Sequence, residues 1–467
     1  MPTHTAYGDS RLSLWLRVRE FAVPPSMIET ATARRRTGDW AGACAAAAID
    51  VDLNLRSVAS TYGRELAARI RADLRRLAPD LLRWHMPRIA PDGLLRPGLT
   101  ITLARYDAAG RDGAPPVHLV VRTPPAWADA GQRISLALWD GSRSAAGAGH
   151  HPHPRPNRRF RLDLHRHLWD ARRADELRIR SGADRPPTDG QAVPDPDLLS
   201  TVPPERGCAV GRWAAEAGIL LRAEGRSTGA VVARLGSRHR LLLELVANGD
   251  GAGPPAVRIA AAREDGGACA PPVLPDAAIW VLPDLELLRA GLIEGDRLHP
   301  LVASALAPDR SPPPSSRTPV GAAPPRLVEC RGARHRIGLV DGVLSALDHD
   351  PEEIRREELL AALTGTPLPC LRAIDVAHRQ PDCLADVRTR LDHGDTAGAL
   401  AVVEGLLGPD AVLLGGALRD ELEAAALRRI TYGLFRAGLV GRERDHACPG
   451  RGRPRDHRSH PRQALVR

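Results

Sequence analysis

The sequence contains no lysine, so all 65 of its basic Lys+Arg residues are arginine. A guanidinium group stays protonated inside proteins and cannot form a Schiff base or act as a base near neutral pH. The absence therefore excludes a covalently bound pyridoxal phosphate, a Walker A loop, a protein-kinase β3 lysine and a Ser-x-x-Lys acylation site. Arginine, alanine, glycine and proline share GC-rich codons, and their joint excess fits a high-GC genome.

Aromatic residues are also scarce, at 3% of the 467 residues, and long apolar runs are missing. The most apolar stretch, 397–418, is interrupted by Glu404 and Asp410, and the N-terminus lacks the apolar segment of a signal peptide. The seven cysteines are odd in number and widely scattered, which is typical of reduced thiols rather than of a disulfide framework. We therefore expect a cytoplasmic protein that does not contact a membrane.

The formal net charge of +9 is concentrated at the C-terminus. Residues 442–467 carry eight arginines and three acidic residues, so this tail contributes +5 and residues 1–441 contribute only +4. The tail has almost no apolar residues, which predicts disorder. A basic tail of this kind can hold phosphates through charge alone, so an argument for a nucleic-acid partner depends on the tail and not on the whole chain.

Two proline-rich segments divide the chain, because they combine prolines with polar residues and have too few apolar side chains to fold alone. The predicted fold class is α+β and multi-domain, with helical N- and C-terminal parts flanking two small β-containing modules. The predicted regions are a helical region at 1–95, a β-rich module with a closing helix at 96–182, a linker at 183–206, an α+β module at 207–306, a second linker at 307–325, a β-hairpin plus helical domain at 326–441, and the basic tail at 442–467.

Apolar spacing predicts the main elements. Leu66, Ile70, Leu74, Leu77 and Leu81 recur at helical steps, with a break expected at Pro79 inside the series. A charged helix is expected at 165–180. Short apolar runs between turn residues predict strands at 99–106, 117–122, 134–139, 230–235, 240–247, 256–261, 326–330 and 335–340.

Two local patterns have a structural interpretation. The glycine-rich segment 248–253 leads into Pro254 and Pro255 and a further strand, so it predicts a hairpin loop rather than a dinucleotide-binding turn. Asp350 precedes a proline and two acidic residues, which is typical of a helix start. Asp348, His349 and Asp350 are therefore interpreted as loop and capping residues.

An internal similarity links the two ends of the chain. The segment Gly38-Asp39-Trp40-Ala41-Gly42-Ala43 matches Gly394-Asp395-Thr396-Ala397-Gly398-Ala399, and the same offset aligns the apolar stripes that follow. Each copy predicts a helical pair that begins near Gly-Asp and loosely resembles a tetratricopeptide-type hairpin, although the aromatic and proline positions of that family are missing. A duplication and a chance match in an Ala/Gly-rich chain both stay open.

The densest group of possible metal ligands lies between residues 150 and 167. Imidazoles one or two residues apart can share a metal ion with a carboxylate, although a solvated His/Arg loop explains the same residues. The candidate ligands are His150, His151, His153, Asp163, His165 and His167. A second set, Cys370, His378, Cys383 and His393, has only one interval in the range usual for structural zinc and is interpreted as unrelated residues.

Basic residues give the candidates for nucleic-acid contacts. They are Arg155, Arg158, Arg159 and Arg161, with one aromatic neighbour, and Arg451, Arg453, Arg455 and Arg458 in the tail. A solvated tail without a selected role is the alternative, and favoured, explanation of the latter.

No pairing of a nucleophile with a base has a readable spacing, so the sequence points away from an enzyme and predicts no cofactor. We expect a non-catalytic, cytoplasmic protein-interaction or scaffold protein with a protein partner. The alternatives are electrostatic nucleic-acid binding through the arginine-rich tail, and a metal-dependent enzyme at the His150–His167 cluster.

Overall fold

The computed structural model describes residues 5–107, 115–141, 151–184, 201–202, 207–236, 239–246, 256–259, 270–308, 326–340, 343–379, 383–407, 412–413 and 415–439. The chain forms two compact units. The first consists of Met1–Asp129, Arg133–Pro313 and Phe435–Arg467, and the second of Ala130–Gln132 and Pro314–Leu434. Helices and several small separate sheets occur together, so the predicted multi-domain α+β class is confirmed.

The first unit begins with six helices, α1 to α6. Helix α5 (Arg64–Arg76) buries Leu66, Ile70 and Leu74 in the main apolar core, as the helical spacing predicts. It ends before Pro79, which lies at the first position of α6, so the predicted break is confirmed. The other helices are α1 (Thr5–Arg17, continued by a π-helical turn at Val18–Ala22), α2 (Pro25–Arg36), α3 (Trp40–Ala46), α4 (Leu55–Tyr62) and α6 (Pro79–Trp84).

A four-stranded sheet packs in the same core. Its strands are β1 (Ile49–Val51), β4 (Thr100–Tyr106), β5 (Val117–Arg122) and β6 (Ile134–Trp139), in the order β1-β6-β5-β4. The three strands predicted in this region pair antiparallel, while β1 was not predicted and runs parallel to β6. A small separate hairpin joins β2 (Arg88–Ile89) to β3 (Leu94–Leu95).

The predicted helix at 165–180 is wrong over most of its length. The chain makes a 3-10 turn at Arg166–Leu168, and the α-helix α7 covers only Glu176–Ser181. Trp169 is fully buried and its indole donates to Leu162 O at 3.0 Å, so tertiary packing of this tryptophan overrides the local helix preference.

A second, smaller core within the first unit packs helix α8 (Trp213–Ala223) on a three-stranded antiparallel sheet. Its strands are β7 (Gly229–Arg234), β8 (Arg240–Val246) and β9 (Ala256–Ile259). The predicted hairpin loop at 248–253 lies outside the described part of the chain; strands β8 and β9 on either side of it pair antiparallel. Helices α9 (Asp276–Ile279), α10 (Pro283–Arg289) and α11 (Pro300–Leu306) follow.

The second unit is a three-stranded sheet followed by five helices. Strands β10 (Arg326–Cys330), β11 (Ala333–Val340) and β12 (Val343–Ala346) pair antiparallel in chain order. The helices are α12 (Pro351–Thr364), α13 (Pro369–Arg379), α14 (Leu384–His393), α15 (Thr396–Leu407) and α16 (Ala417–Arg436). Asp350 Oδ1 accepts from Glu352 N at 2.9 Å, which confirms the predicted cap of α12.

The two Gly-Asp segments have the same local geometry. In the first copy, Asp39 accepts from Gly42 N at 2.8 Å and from the Arg34 guanidinium at 2.9 Å. In the second copy, Asp395 accepts from Gly398 N and from the Arg390 guanidinium, each at 2.9 Å. The arginine of each pair lies five residues before the aspartate, a match outside the aligned segment that supports a duplication.

Among the described residues, no single helix is both long enough and apolar enough to cross a membrane. One bent pair, Pro351–Thr364 with Pro369–Val376, meets the requirement by length and composition only.

Candidate functional site

The predicted histidine candidates are distributed over different contacts. His151 is buried, and its Nε2 lies 2.9 Å from Thr123 O, while His153 N donates to His151 Nδ1 at 3.2 Å. Thr100 Oγ1 donates to His153 O at 2.6 Å, so the two contacts hold this loop at the start of strand β4 and at the end of strand β5. Burial lowers the pKa of His151 to about 4, and the ring is therefore neutral at neutral pH.

The remaining candidate metal ligands, Asp163, His165 and His167, contact other residues. Asp163 accepts from Arg161 at 2.7 Å, whereas His165 Nε2 lies 3.2 Å from Glu216 Oε2. His167 is buried, and burial together with nearby His165 and Arg180 lowers its pKa well below the usual value. Within the described residues, no three members bring their ligand atoms within 4.8 Å of one another. His150 lies outside those residues, so the metal site stays a prediction.

The candidate arginines for nucleic-acid binding also differ in their surroundings: two form ion pairs and two are exposed. Arg159 forms a salt bridge to Asp276 at 2.6 Å, and Arg161 contacts both Asp163 and Glu224. Arg155 and Arg158 are exposed. The four tail candidates, Arg451, Arg453, Arg455 and Arg458, lie outside the described residues, so nucleic-acid binding stays a prediction.

A buried ionic cluster joins the two cores of the first unit. Arg180 from α7 donates through Nε to Glu216 Oε1 and through Nη2 to Oε2, each at 2.7 Å. Glu216 belongs to α8 and is only 4% exposed. Burial raises the pKa of Glu216, but the hydrogen bonds from His165 and Arg180 outweigh this effect and lower the pKa to about 2.

The cavity beside this cluster is too small for a substrate. Its volume is about 30 Å³, enough for about one or two water molecules. Its lining includes the side chains of His165, His167, Arg180, Arg212 and Glu216. The Glu216 carboxylate is already held by Arg180 through both oxygens, so the arrangement fastens one core to the other.

The second unit contains a different cluster, made of two thiols and an imidazole. Cys330, at the end of β10, and Cys370, in the first turn of α13, are both fully buried and both free. Together with His349 they bring one ligand atom each to within 4.8 Å of one another. Burial raises the pKa of Cys370 to about 11, with Cys330 as its hydrogen-bonded neighbour. This is the closest grouping of metal-binding atoms in the described part of the chain.

The sequence interpretation missed this cluster. It grouped Cys370 with His378, Cys383 and His393 by spacing alone, and it interpreted His349 as a loop residue. His349 instead has a side chain that is only 4% exposed, and it lies against residues from other elements. The one local signal was Cys330 directly before Arg331 and Gly332, since a cysteine beside a tight glycine turn between two strands is a frequent metal-ligand position.

Among the described residues, the second unit exposes more large apolar side chains than the first. Sixteen large apolar side chains are exposed among the described residues, and twelve of them belong to this unit, which has about a quarter of the chain. On α16, Leu427, Ile430 and Leu434 are exposed and follow the i, i+3, i+7 spacing of one helix face. Contiguous apolar surface of this kind is typical of interaction sites.

Comparison with known proteins gives no further guide. The chain matches no protein-family model, no curated protein and no solved structure. Its function therefore has to be inferred from the contacts and surfaces of its own residues.

Proposed function

We propose that the protein is a non-catalytic, cytoplasmic protein-interaction protein, and that its second unit binds a second copy of the chain through α16. The observation that carries this proposal is the exposed apolar stripe of Leu427, Ile430 and Leu434. No disulfide joins the described cysteines, Cys44 and Cys370 among them, which supports a reducing compartment.

The aligned Gly-Asp segments give Ile430 of this stripe a counterpart in the first unit. The sequence offset that aligns the Gly-Asp segments also aligns α5 with α16, and it places Leu74 opposite Ile430. Leu74 is fully buried in the core that also contains the sheet strand β4, whereas Ile430 is 60% exposed. This aligned position is thus buried in the first copy and, within the described residues, exposed in the second.

The shape of this face suits another helix. Gly433 is exposed between the apolar residues, and a Cβ atom at that position meets nothing within 4 Å among the described atoms. Exposed Ala426 is the other small residue on this side of the helix. Small residues between large ones allow two helix backbones to approach closely, and the large side chains then fill the neighbouring grooves. Burying each large side chain contributes roughly 1.5–3 kcal/mol.

The charges of α16 favour a second copy in antiparallel orientation. Its first half carries Asp420, Glu421 and Glu423, and its second half carries Arg428 and Arg429. Arg419 is the exception, and it is paired at 2.6 Å with Glu423 of the same helix. Glu421 and Arg428 pair with Arg388 and Asp392 of the same unit, so Asp420 and Arg429 are the charges of the two halves that form no ion pair among the described residues. Two antiparallel copies place the acidic half of one helix opposite the basic half of the other, which is the self-complementary pattern of a two-fold interface.

Sedimentation of the full-length protein over a range of concentrations tests the proposal. We expect a concentration-dependent dimer that Ile430→Glu abolishes. Ile179→Glu is the matched control, because Ile179 is 59% exposed on a helix of the first unit. A chain that stays monomeric at all concentrations, or a dimer that Ile430→Glu leaves intact, would overturn self-association through α16. Binding of an unrelated protein to monomeric wild type would also count against it.

A further inference from the structure

The thiol cluster of the second unit is assembled by one face of its sheet. Cys330 and Val328 lie two residues apart on β10, so their side chains point to the same face. The register pairs Val328 with His335 of β11, which places His335 on that face as well. The turn between the strands uses Arg331 and Gly332, with φ values of +56° and +82°. Such a turn needs left-handed backbone, for which glycine is suited.

The helical part of the unit brings the other groups to this face. Cys370 occupies the first turn of α13, and His349 lies between β12 and the cap of α12. Cys330 and Cys370 share an apolar cluster with Ala346 and Leu368, so the thiols are shielded from water. Zinc bound to thiolate at about 2.3 Å in a tetrahedron separates neighbouring ligand atoms by about 3.7 Å. The ligand atoms of Cys330, His349 and Cys370 lie within 4.8 Å of one another, which exceeds that separation by at most about 1 Å.

The two histidines supply an independent observation. Nε2 of His349 and Nδ1 of His335 are buried and have no hydrogen-bond partner among the described residues. The two rings lie 4.2 Å apart between centroids, at an angle of 42°. Nδ1 of His349 is 3.5 Å from Glu353 Oε2. A histidine that binds a metal ion usually does so through one ring nitrogen, while its other ring nitrogen contacts a carboxylate. His349 has this arrangement, because its Nδ1 faces Glu353 and its Nε2 has no partner among the described residues.

We propose that the second unit binds one Zn²⁺ ion through Cys330, His349 and Cys370, with His335 as the fourth ligand. Binding replaces the two thiol protons with two Zn–S bonds and releases two protons, and the two thiolates balance the charge of the ion. A site closed by four protein ligands is structural. The ion would fasten the sheet β10-β11-β12 to α13, since the ligands come from both.

The test measures metal binding by the reduced, full-length protein. Metal content and cobalt absorption do not depend on whether the chain forms a dimer, so the result is independent of the proposed self-association. We expect about one zinc ion per chain by elemental analysis. Titration of the metal-free protein with Co²⁺ should give a thiolate-to-cobalt charge-transfer band and tetrahedral d–d absorption in the visible range. Cys330→Ser and Cys370→Ser should abolish the charge-transfer band or weaken Co²⁺ binding by at least tenfold, and His335→Asn should weaken it less. Cys383→Ser is the matched control, because this cysteine lies in the same unit and outside the cluster.

All eight tryptophans belong to the first unit, so their emission checks that the variants keep that unit folded. The cobalt spectrum of the wild-type protein is decisive even if a variant fails to fold. Reduced wild-type protein that binds neither Zn²⁺ nor Co²⁺ would overturn the proposal. So would a Co²⁺ complex without thiolate absorption, or one that is lost in Cys383→Ser and kept in Cys370→Ser.

Discussion

Replacing Glu216 by glutamine should strongly destabilise the first unit. The substitution keeps the size of the side chain but leaves the guanidinium of Arg180 without its carboxylate, while Arg180 stays only 13% exposed. The remaining contact of Arg180 with Leu164 O, at 3.1 Å, cannot compensate a buried charge. Removing one partner of a buried ion pair costs about 3–5 kcal/mol.

The titration of Glu216 leads to a similar magnitude. Its pKa is about 2 in the folded protein against an ordinary value of 4.5. A lowered pKa means that the ionised group stabilises the fold above about pH 4.5, and that this stabilisation is lost as the pH falls towards 2. A difference of about 2.5 pKa values corresponds to about 3 kcal/mol. Glu216→Gln should therefore also flatten the acid unfolding of the first unit over this range.

Urea denaturation followed by tryptophan emission measures this effect, because every tryptophan lies in the first unit. Glu224→Gln is the matched control. Glu224 caps the end of the same helix and pairs with Arg161 at 2.8 Å, but it is 40% exposed, so its loss should cost less than about 1 kcal/mol. Equal shifts of the urea midpoint in the two variants would refute the reasoning, because burial would then not decide the cost.

Three further substitutions probe other buried or capping carboxylates. Burial raises the pKa of Glu286 to about 7 despite nearby Arg11, so the wild type should lose up to about 3 kcal/mol of stability as the pH rises from about 4.5 to 7. Glu286→Gln should remove that loss in urea titrations at about pH 5 and pH 8, and an unchanged pH dependence would contradict the assignment. Asp395→Ala should lower the free energy of unfolding by about 1 kcal/mol and speed hydrogen exchange at the start of α15. The equivalent Asp39→Ala should lower it less, because the Asp39 side chain is 45% exposed and that of Asp395 only 11%. Equal exchange at α15 in wild type and Asp395→Ala would exclude a capping role.

Helices α5 and α16 share a sequence pattern but differ in how deeply their apolar side chains are buried. Both helices follow a Gly-Asp hairpin with the same aspartate cap and the same arginine contact. In the first unit a sheet shares the core with Leu74, whereas the aligned Ile430 is exposed in the described part of the second unit. The local pattern therefore decides that a helix forms, and the surrounding elements decide which of its apolar side chains are buried.

The sequence by itself determined the features that depend on short-range interactions. Strands β5 and β6, the break at Pro79, the cap at Asp350 and the hairpin between β8 and β9 are present where the pattern predicts them. Each of these needs only a few neighbouring residues, whose alternation, backbone restriction or side-chain oxygen acts on the adjacent backbone.

The tertiary structure alone decided which side chains meet. It kept His165 and His167 of the predicted ligand group side by side, with ring centroids 5.7 Å apart, and it paired Asp163 with Arg161 instead. It brought Cys330 together with His349 and Cys370, which no spacing rule connects. The physical reason is that a ligand set depends on strand register and on which helix packs on which face, and both are set by burial of distant apolar residues.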